Sequence, residues 1–175
     1  VVKSDDRRAV LLDRMADHIL ASGISESSLR PLAKAARTSD RMLLYYFSDK
    51  AEMITATLAH VAQRLGGILM AQGAAAPLPI DQLIPKLFDL LCAESLWPYM
   101  RLWLEIASLA AKGDPVCRTV GDAIARGFLE WGAAQLDSPT PEARTADAAR
   151  LLVTIEGMML LRSVGLDDLC RRAMG

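Results

Sequence analysis

Ser28 to Lys50 reads SLRPLAKAARTSDRMLLYYFSDK, and this stretch decides the fold. Ser27 or Ser28 is placed to cap a helix running to about Ala36, with Pro31 in the first turn, where no backbone N–H is needed. Thr38 or Ser39 then caps a second short helix that ends near Tyr46. Asp49, followed three residues later by Glu52, has the capping-box arrangement and opens a longer helix. The pattern is a helix-turn-helix with an aromatic cluster behind it. Three of the chain's nine aromatic residues, Tyr45, Tyr46 and Phe47, stand side by side there.

Outward from this segment, helical spacing continues in both directions. Leu12, Met15, Ala16, Ile19 and Leu20 mark a first helix over 6–21, with Arg8, Arg14 and Asp17 outward and Gly23 as its stop. Ile54, Leu58, Val61, Leu65 and Ile68 recur at steps of three and four on the helix after Asp49, which should end near Gly73. Two prolines in AQGAAAPLPI make a short linker. Further helices are expected at 80–93, 97–112, 115–136 and 141–165, with a final turn over 167–173. They are separated by Pro98, by Gly113-Asp114-Pro115 and by Ser138-Pro139-Thr140-Pro141.

Composition agrees with an all-α chain. Of the 175 residues, 52% are hydrophobic and only 5% aromatic, with helix formers dominant. No segment shows the Val/Ile/Thr/Tyr alternation of a sheet. Residues 1–64 hold ten Lys/Arg and eight Asp/Glu, a net of +2; residues 65–175 hold ten and thirteen, a net of −3. This asymmetry points to an N-terminal anion-binding end. Cys92, Cys117 and Cys170 lack CxxC spacing and read as reduced thiols. The apolar run from Leu151 to Leu161 is too short to cross a bilayer. A soluble, cytoplasmic protein is therefore expected.

Three short helices should form an N-terminal domain over 1–50, with 49–72 connecting it to a helical regulatory and dimerisation bundle over 51–175. In the third helix Leu43 and Phe47 would anchor the inner face with Leu32 and Ala33. Asp40, Arg41, Met42 and Tyr45 would point outward. Such a helix suits the major groove of DNA: Arg pairs with guanine edges or phosphate, Asp accepts from cytosine N4, and Met touches a thymine methyl. Tyr hydroxyls reach phosphate oxygens. Lys50 sits where the helix macrodipole disfavours a cation. Either it is simply solvated, or a phosphate at that helix end removes the penalty.

Together these residues resemble the N-terminal domain of the TetR (tetracycline-repressor-like) family of transcription regulators. The family pattern runs from a small hydroxyl residue to an aliphatic-Ala pair four residues later, a Gly-x-Ser turn, and Leu-Tyr-x-Tyr-Phe-x-x-Lys. Ser28, Leu32-Ala33, Ser39, Leu43, Tyr46-Phe47 and Lys50 hold matching places, and LLYYFSDKAEMI is the specific part. The resemblance covers about 45 residues, from the first helix to about Leu58. It implies a ligand-responsive, sequence-specific DNA-binding regulator, a repressor released from its operator by a small apolar molecule. With the outward face read above, the candidate DNA contacts are Ser28, Arg30, Arg37, Ser39, Asp40, Arg41, Met42, Tyr45, Tyr46 and Lys50.

Two positions depart from the family. Arg37 replaces the turn glycine, so either the turn has another shape or Arg37 is retained for a phosphate contact. Leu44 replaces the first tyrosine, leaving Tyr45 or Tyr46 to serve.

The family's second domain binds a small molecule and dimerises, and RLWLEIASLAAKGDP (101–115) and 151–168 look like its segments. The 151–161 segment is apolar almost all round and must be covered on both sides. A partner subunit would supply one cover, with 115–136 (Val120, Ile124, Phe128, Trp131) completing a four-helix interface. A fully buried central helix in a monomer is the other reading. Met70, Phe88, Trp97, Met100, Arg101, Trp103 and Leu104 are candidates to line an effector cavity, with Arg101, Glu94 or Glu105 as polar handles. Trp and Met at helical spacing serve equally as plain core.

No HExxH, GxSxG, P-loop or GxGxxG pattern is present, so no enzyme, cofactor or metal site is expected. His18 and His60 stand alone, as surface or capping residues. Asp167-Asp168 reads as a helix cap. The alternative function is an all-helical protein-interaction module, which salt response separates from DNA binding.

Overall fold

The computed structural model describes residues 2–72 and 76–174. Among them are nine helices: α1 (Val2–Ser22), α2 (Leu29–Ala35), α3 (Asp40–Tyr46), α4 (Lys50–Gln72), α5 (Ile80–Leu91), α6 (Trp97–Ala111), α7 (Pro115–Ala134), α8 (Pro141–Ser163) and α9 (Asp167–Ala173). A parallel bridge between Leu78 and Leu136 is the sole extended pairing among the described residues. The fold is all-α, with helix positions close to those the apolar spacing predicts. The expected stop of α4 near Gly73 lies outside the described residues, beyond Gln72.

Two compact units form. One comprises residues up to Ile68 with Arg101–Gly121; the other comprises Leu69–Met100 with Asp122 onward. This structural division is drawn differently from a boundary at residue 50, and the reason is visible in α4. Arg64 reaches across to α1, donating to Asp17 Oδ1 at 2.7 Å and to the Asp13 carboxylate. His60 Nε2 lies 2.7 Å from the same Asp13 oxygen. These bonds hold the Asp13 carboxyl below its usual range, the His60 contact contributing most and Arg64 next. Most of α4 is thereby fastened to α1.

In the first unit Met15, Ile19, Leu32, Leu43, Phe47 and Leu58 are at most 1% exposed. Each such side chain contributes about 1.5–3 kcal/mol on burial. Arg14, expected outward, is half-buried and donates from Nη1 to the Ala36 carbonyl at 2.9 Å, closing the C-terminal end of α2. In the second unit, α5 turns Leu83, Ile84, Leu87, Phe88 and Leu91 inward. It packs on α8, whose buried residues are Ala148, Leu151, Ile155, Met158 and Met159. Cys170 on α9 donates from Sγ to the Met158 carbonyl at 3.5 Å. All three cysteines are free thiols.

Covering of the 151–161 segment is one-sided within the chain. Val153 (72% exposed) and Leu160 (56%) lie bare on α8. Gly157 is open too, with no atom beyond its own stretch of helix backbone within 4 Å of where its Cβ would stand. On α7, Val120 is buried and Ile124, Phe128 and Trp131 are half-buried.

Caps account for the remaining differences. Ser28 occupies the N-cap position of α2 without a side-chain bond. The Ser27 hydroxyl turns back to donate to the Gly23 carbonyl at 2.7 Å. At α9 the cap is Leu166, so Asp167 and Asp168 fall inside the first turn. There they complement the helix dipole. Asp167 faces Arg162 and Asp168 faces Arg172.

Candidate nucleic-acid interface

The α2–α3 segment is built from its turn. Arg37 has φ +55°, the one non-glycine residue with positive φ among those described. Its N–H donates to Lys34 O at 3.1 Å, and the Thr38 N–H donates to Ala33 O at 3.0 Å. A different turn shape is therefore ruled out: the turn takes the left-handed geometry, with an arginine where a glycine would be unstrained.

Ser39, in extended conformation, caps α3 by accepting from the Met42 N–H at 3.2 Å. Leu43 and Phe47 then point inward at 0% and 1% exposure. The opposite side is open. Arg41 is exposed, Asp40 and Met42 are half-buried, Leu44 is 49% exposed and Tyr45 76%. The Tyr46 ring is half-buried and meets Tyr45 edge-on, centroids 5.2 Å apart. Ser28, Arg30 and Arg37 are exposed as well. Among the described residues none of Arg30, Arg37, Arg41 and Lys50 has an ion-pair partner within 4.0 Å.

Behind the helix, Phe47 is covered from the α1 side by Arg8, whose guanidinium carbon lies 4.8 Å from the ring centre. Arg8 also stands 3.5 Å from Glu52. Asp49 accepts from the Glu52 N–H at 2.8 Å, as a capping box requires. The reciprocal bond goes to Ser48 N–H, one residue before the usual place. Lys50 is exposed in the first turn of α4, where Asp114 contributes an opposing charge. The Asp114 carboxyl is held low mainly by the Cys117 N–H, with Lys50 adding a smaller effect. That charge offsets part of the dipole penalty without any bound phosphate.

Sequence spacing does not point to Arg8 and Arg14 as supports of the motif. Their signal, a guanidinium on a helix face opposite an aromatic or a helix end, spans 22 residues or more and leaves no local pattern.

The effector candidates are dispersed. Met70, Phe88, Trp97 and Met100 fall in the second unit, and Arg101, Trp103 and Leu104 in the first. Met70 is 78% exposed, whereas Phe88 and Met100 are buried core. Trp97 carries the Arg162 guanidinium 4.4 Å above its ring. Cavities of about 190, 280 and 310 Å³ occur; of these seven residues, only Arg101 lines any of the three, the smallest. Glu105 is engaged elsewhere, accepting from the α1–α2 turn. Among the described residues no helix is long and apolar enough to cross a membrane, and no His/Cys/Asp/Glu group is placed to hold a metal.

No family model matches the chain. The HTH-type transcriptional regulator BetI of Burkholderia thailandensis is 28% identical over 159 residues, covering 88% of this chain and 80% of that protein. A transcriptional regulator from Rhodococcus sp. Rha1 superimposes with a TM-score of 0.71 at 24% identity, over 94% of this chain and 90% of the other. A Saccharomonospora viridis protein solved in complex with choline has a TM-score of 0.67 at 16% identity, over 98% and 94%. With its capped, inward-anchored α3, the chain is thus similar to helix-turn-helix transcriptional regulators and not to enzymes. Its fold is that of the TetR (tetracycline-repressor-like) regulators, as the α2–α4 motif implied.

Proposed function

We propose that the chain is a cytoplasmic, one-component repressor: a homodimer whose two α3 helices enter successive major grooves of an inverted-repeat operator. Residues 1–50 form the DNA-binding part and 51–175 the regulatory part. The observation that carries this reading is α3 itself, seven residues long, anchored by Leu43 and Phe47 and presenting Arg41 and Tyr45 outward. Arg30, Arg37, Lys50 and the tyrosine hydroxyls supply phosphate contacts, the Ser28 and Ser39 positions lie at the backbone, and Asp40, Arg41 and Met42 meet base edges.

The bare side of α8, with Val153, Gly157 and Leu160, supports a two-fold interface. Exposed apolar residues in a row on one helix are covered most simply by the same row on a second copy. A small effector binding in the regulatory part would shift the population toward an arrangement unable to span both half-sites. A largely apolar molecule fits the composition of that part. Choline, held by the Saccharomonospora viridis protein, is the first probe to try. At Trp97 it would have to displace the chain's own Arg162 cation.

Exposed Leu44 beside Tyr45 favours a second reading, in which α3 faces an apolar protein partner. Substitutions separate the two. Tyr46→Ala and Lys50→Ala should weaken binding to all duplexes alike, and Arg41→Ala should also relax base preference. With three cations per subunit at phosphates, log Kd should vary with log salt at a slope of about 5 in magnitude for the dimer. Unchanged affinity in all three variants would refute the assigned face.

A further inference from the structure

Gly23, Ile24 and Ser25 form the turn between α1 and α2, and a single carboxylate from α6 closes on it. Glu105 Oε2 accepts the Ile24 N–H at 2.9 Å. Its Oε1 accepts both the Ser25 N–H at 2.9 Å and the Ser25 hydroxyl at 2.7 Å. The fit leaves no room. Gly23 has φ +84°, and a Cβ built there would stand 2.6 Å from Oε2. Burial raises the Glu105 pKa, but the Ser25 hydroxyl and the two amides outweigh it and hold the carboxyl below its usual range. It therefore bears a full charge at neutral pH, which makes each bond a charge-assisted one.

We propose that Glu105 is a positioning residue for DNA recognition, the clamp through which α6 holds the three-helix DNA-binding part in its operator-competent placement. The inference rests on the regulator reading above and names the contact by which regulation would reach α1–α3. Its position on α6 gives the reason. This helix is continuous from Trp97 to Ala111, and its residues through Met100 belong to the second unit. Glu105 lies within this helix, so a shift of α6 acts on the clamp directly. About 1 Å of travel takes a 2.9 Å bond beyond hydrogen-bonding range. A cavity of about 190 Å³, lined by the end of α1 with Arg101, Leu102 and Glu105, lies beside the clamp. Beside that cavity the carboxylate ties α6 to the turn that follows α1.

Glu105→Gln keeps the shape of the side chain but sets an NH₂ group against one of the two amides. Ser25→Ala removes the hydroxyl and leaves both amide bonds. Each is made in the full chain and titrated against two duplexes: an operator selected from a random library, and the unselected pool. Amide exchange is followed at Ile24 and Ser25. The proposal expects faster exchange at both amides in E105Q and a loss of operator affinity of about tenfold, within the range usual for coupled sites. Pool affinity should be unchanged, because the phosphate contacts are intact. S25A should move the operator-to-pool ratio in the same direction by less, and it decides the question if E105Q fails to fold.

Opened amides with an unchanged operator-to-pool ratio would reduce Glu105 to a local cap and overturn the role. So would equal loss on both duplexes. Failure of the unsubstituted chain to bind any duplex would instead bring down the regulator reading on which the role rests.

Discussion

Arg37→Gly separates two properties that this residue combines. Arg37 holds φ +55° in the turn before α3. A left-handed L-residue costs about 1–2 kcal/mol, and glycine relieves that. Glycine gives back about 0.5–1 kcal/mol through the greater freedom of the unfolded chain. The net expectation is a gain of about 0.5–1 kcal/mol, or about 1–4 °C in Tm for a chain of this size. The turn's bonds, Arg37 N–H to Lys34 O and Thr38 N–H to Ala33 O, involve backbone alone and survive the change.

On DNA the same substitution removes a phosphate contact from each subunit, so the salt slope of a dimer should fall by about 2. Thermal melting and fluorescence anisotropy over a salt series read the two effects on one sample. Arg37→Ala is the control: it loses the guanidinium and keeps the strain, so the slope should fall without a stability gain. A lower Tm for R37G would refute the strain argument. A higher Tm with an unchanged slope would refute the phosphate role, leaving no reason on these grounds for an arginine in a position suited to glycine.

Three further outcomes follow from the packing and the charges. Leu43→Ala empties a fully buried site under α3 and should destabilise by about 2–5 kcal/mol in denaturant unfolding, abolishing DNA binding at working temperature. Ser39→Ala removes the α3 cap, which accepts from Met42 N–H at 3.2 Å; a loss of about 1 kcal/mol is expected by the same measurement. Asp13 and Glu105 both have carboxyl pKa values below the ordinary 3.8 and 4.5. The unfolded chain binds their protons more readily. Their contribution is thus complete above the ordinary values and is lost as pH falls through the lowered ones. Tm measured from pH 7 to pH 3 should drop at the acid end, less steeply in E105Q; a parallel acid drop in wild type and E105Q would contradict the assignment.

Much of the helical layout could be read locally. The α3 inner face follows from Leu43 and Phe47 at a four-residue step, and Ser39 and Asp49 cap where their side chains reach the next N–H groups. Competition among nearby hydroxyls is not readable in this way. Ser27 and Ser28 both suit a cap, yet Ser27 is committed to Gly23 O and Ser28 makes no cap bond. Long-range polar contacts leave still less trace. Glu105 meets Ile24 and Ser25 across 80 residues or more. On α6 its spacing gives no sign of that partner and suits a ligand handle equally well. The effector candidates show a related limit: aromatic and Met residues at helical spacing locate a helix, not a cavity, and Met70 emerges bare while Phe88 is sealed in core.

Selection from a random duplex library with the purified full chain, at moderate salt, tests the central claim most directly. The account predicts enrichment of an inverted repeat with half-sites about 34–36 Å apart or a multiple of that distance, matching two α3 helices related by two-fold symmetry. Absence of any enriched sequence, together with no binding to the pool at low salt, would contradict it and leave α3 as a surface for a protein partner.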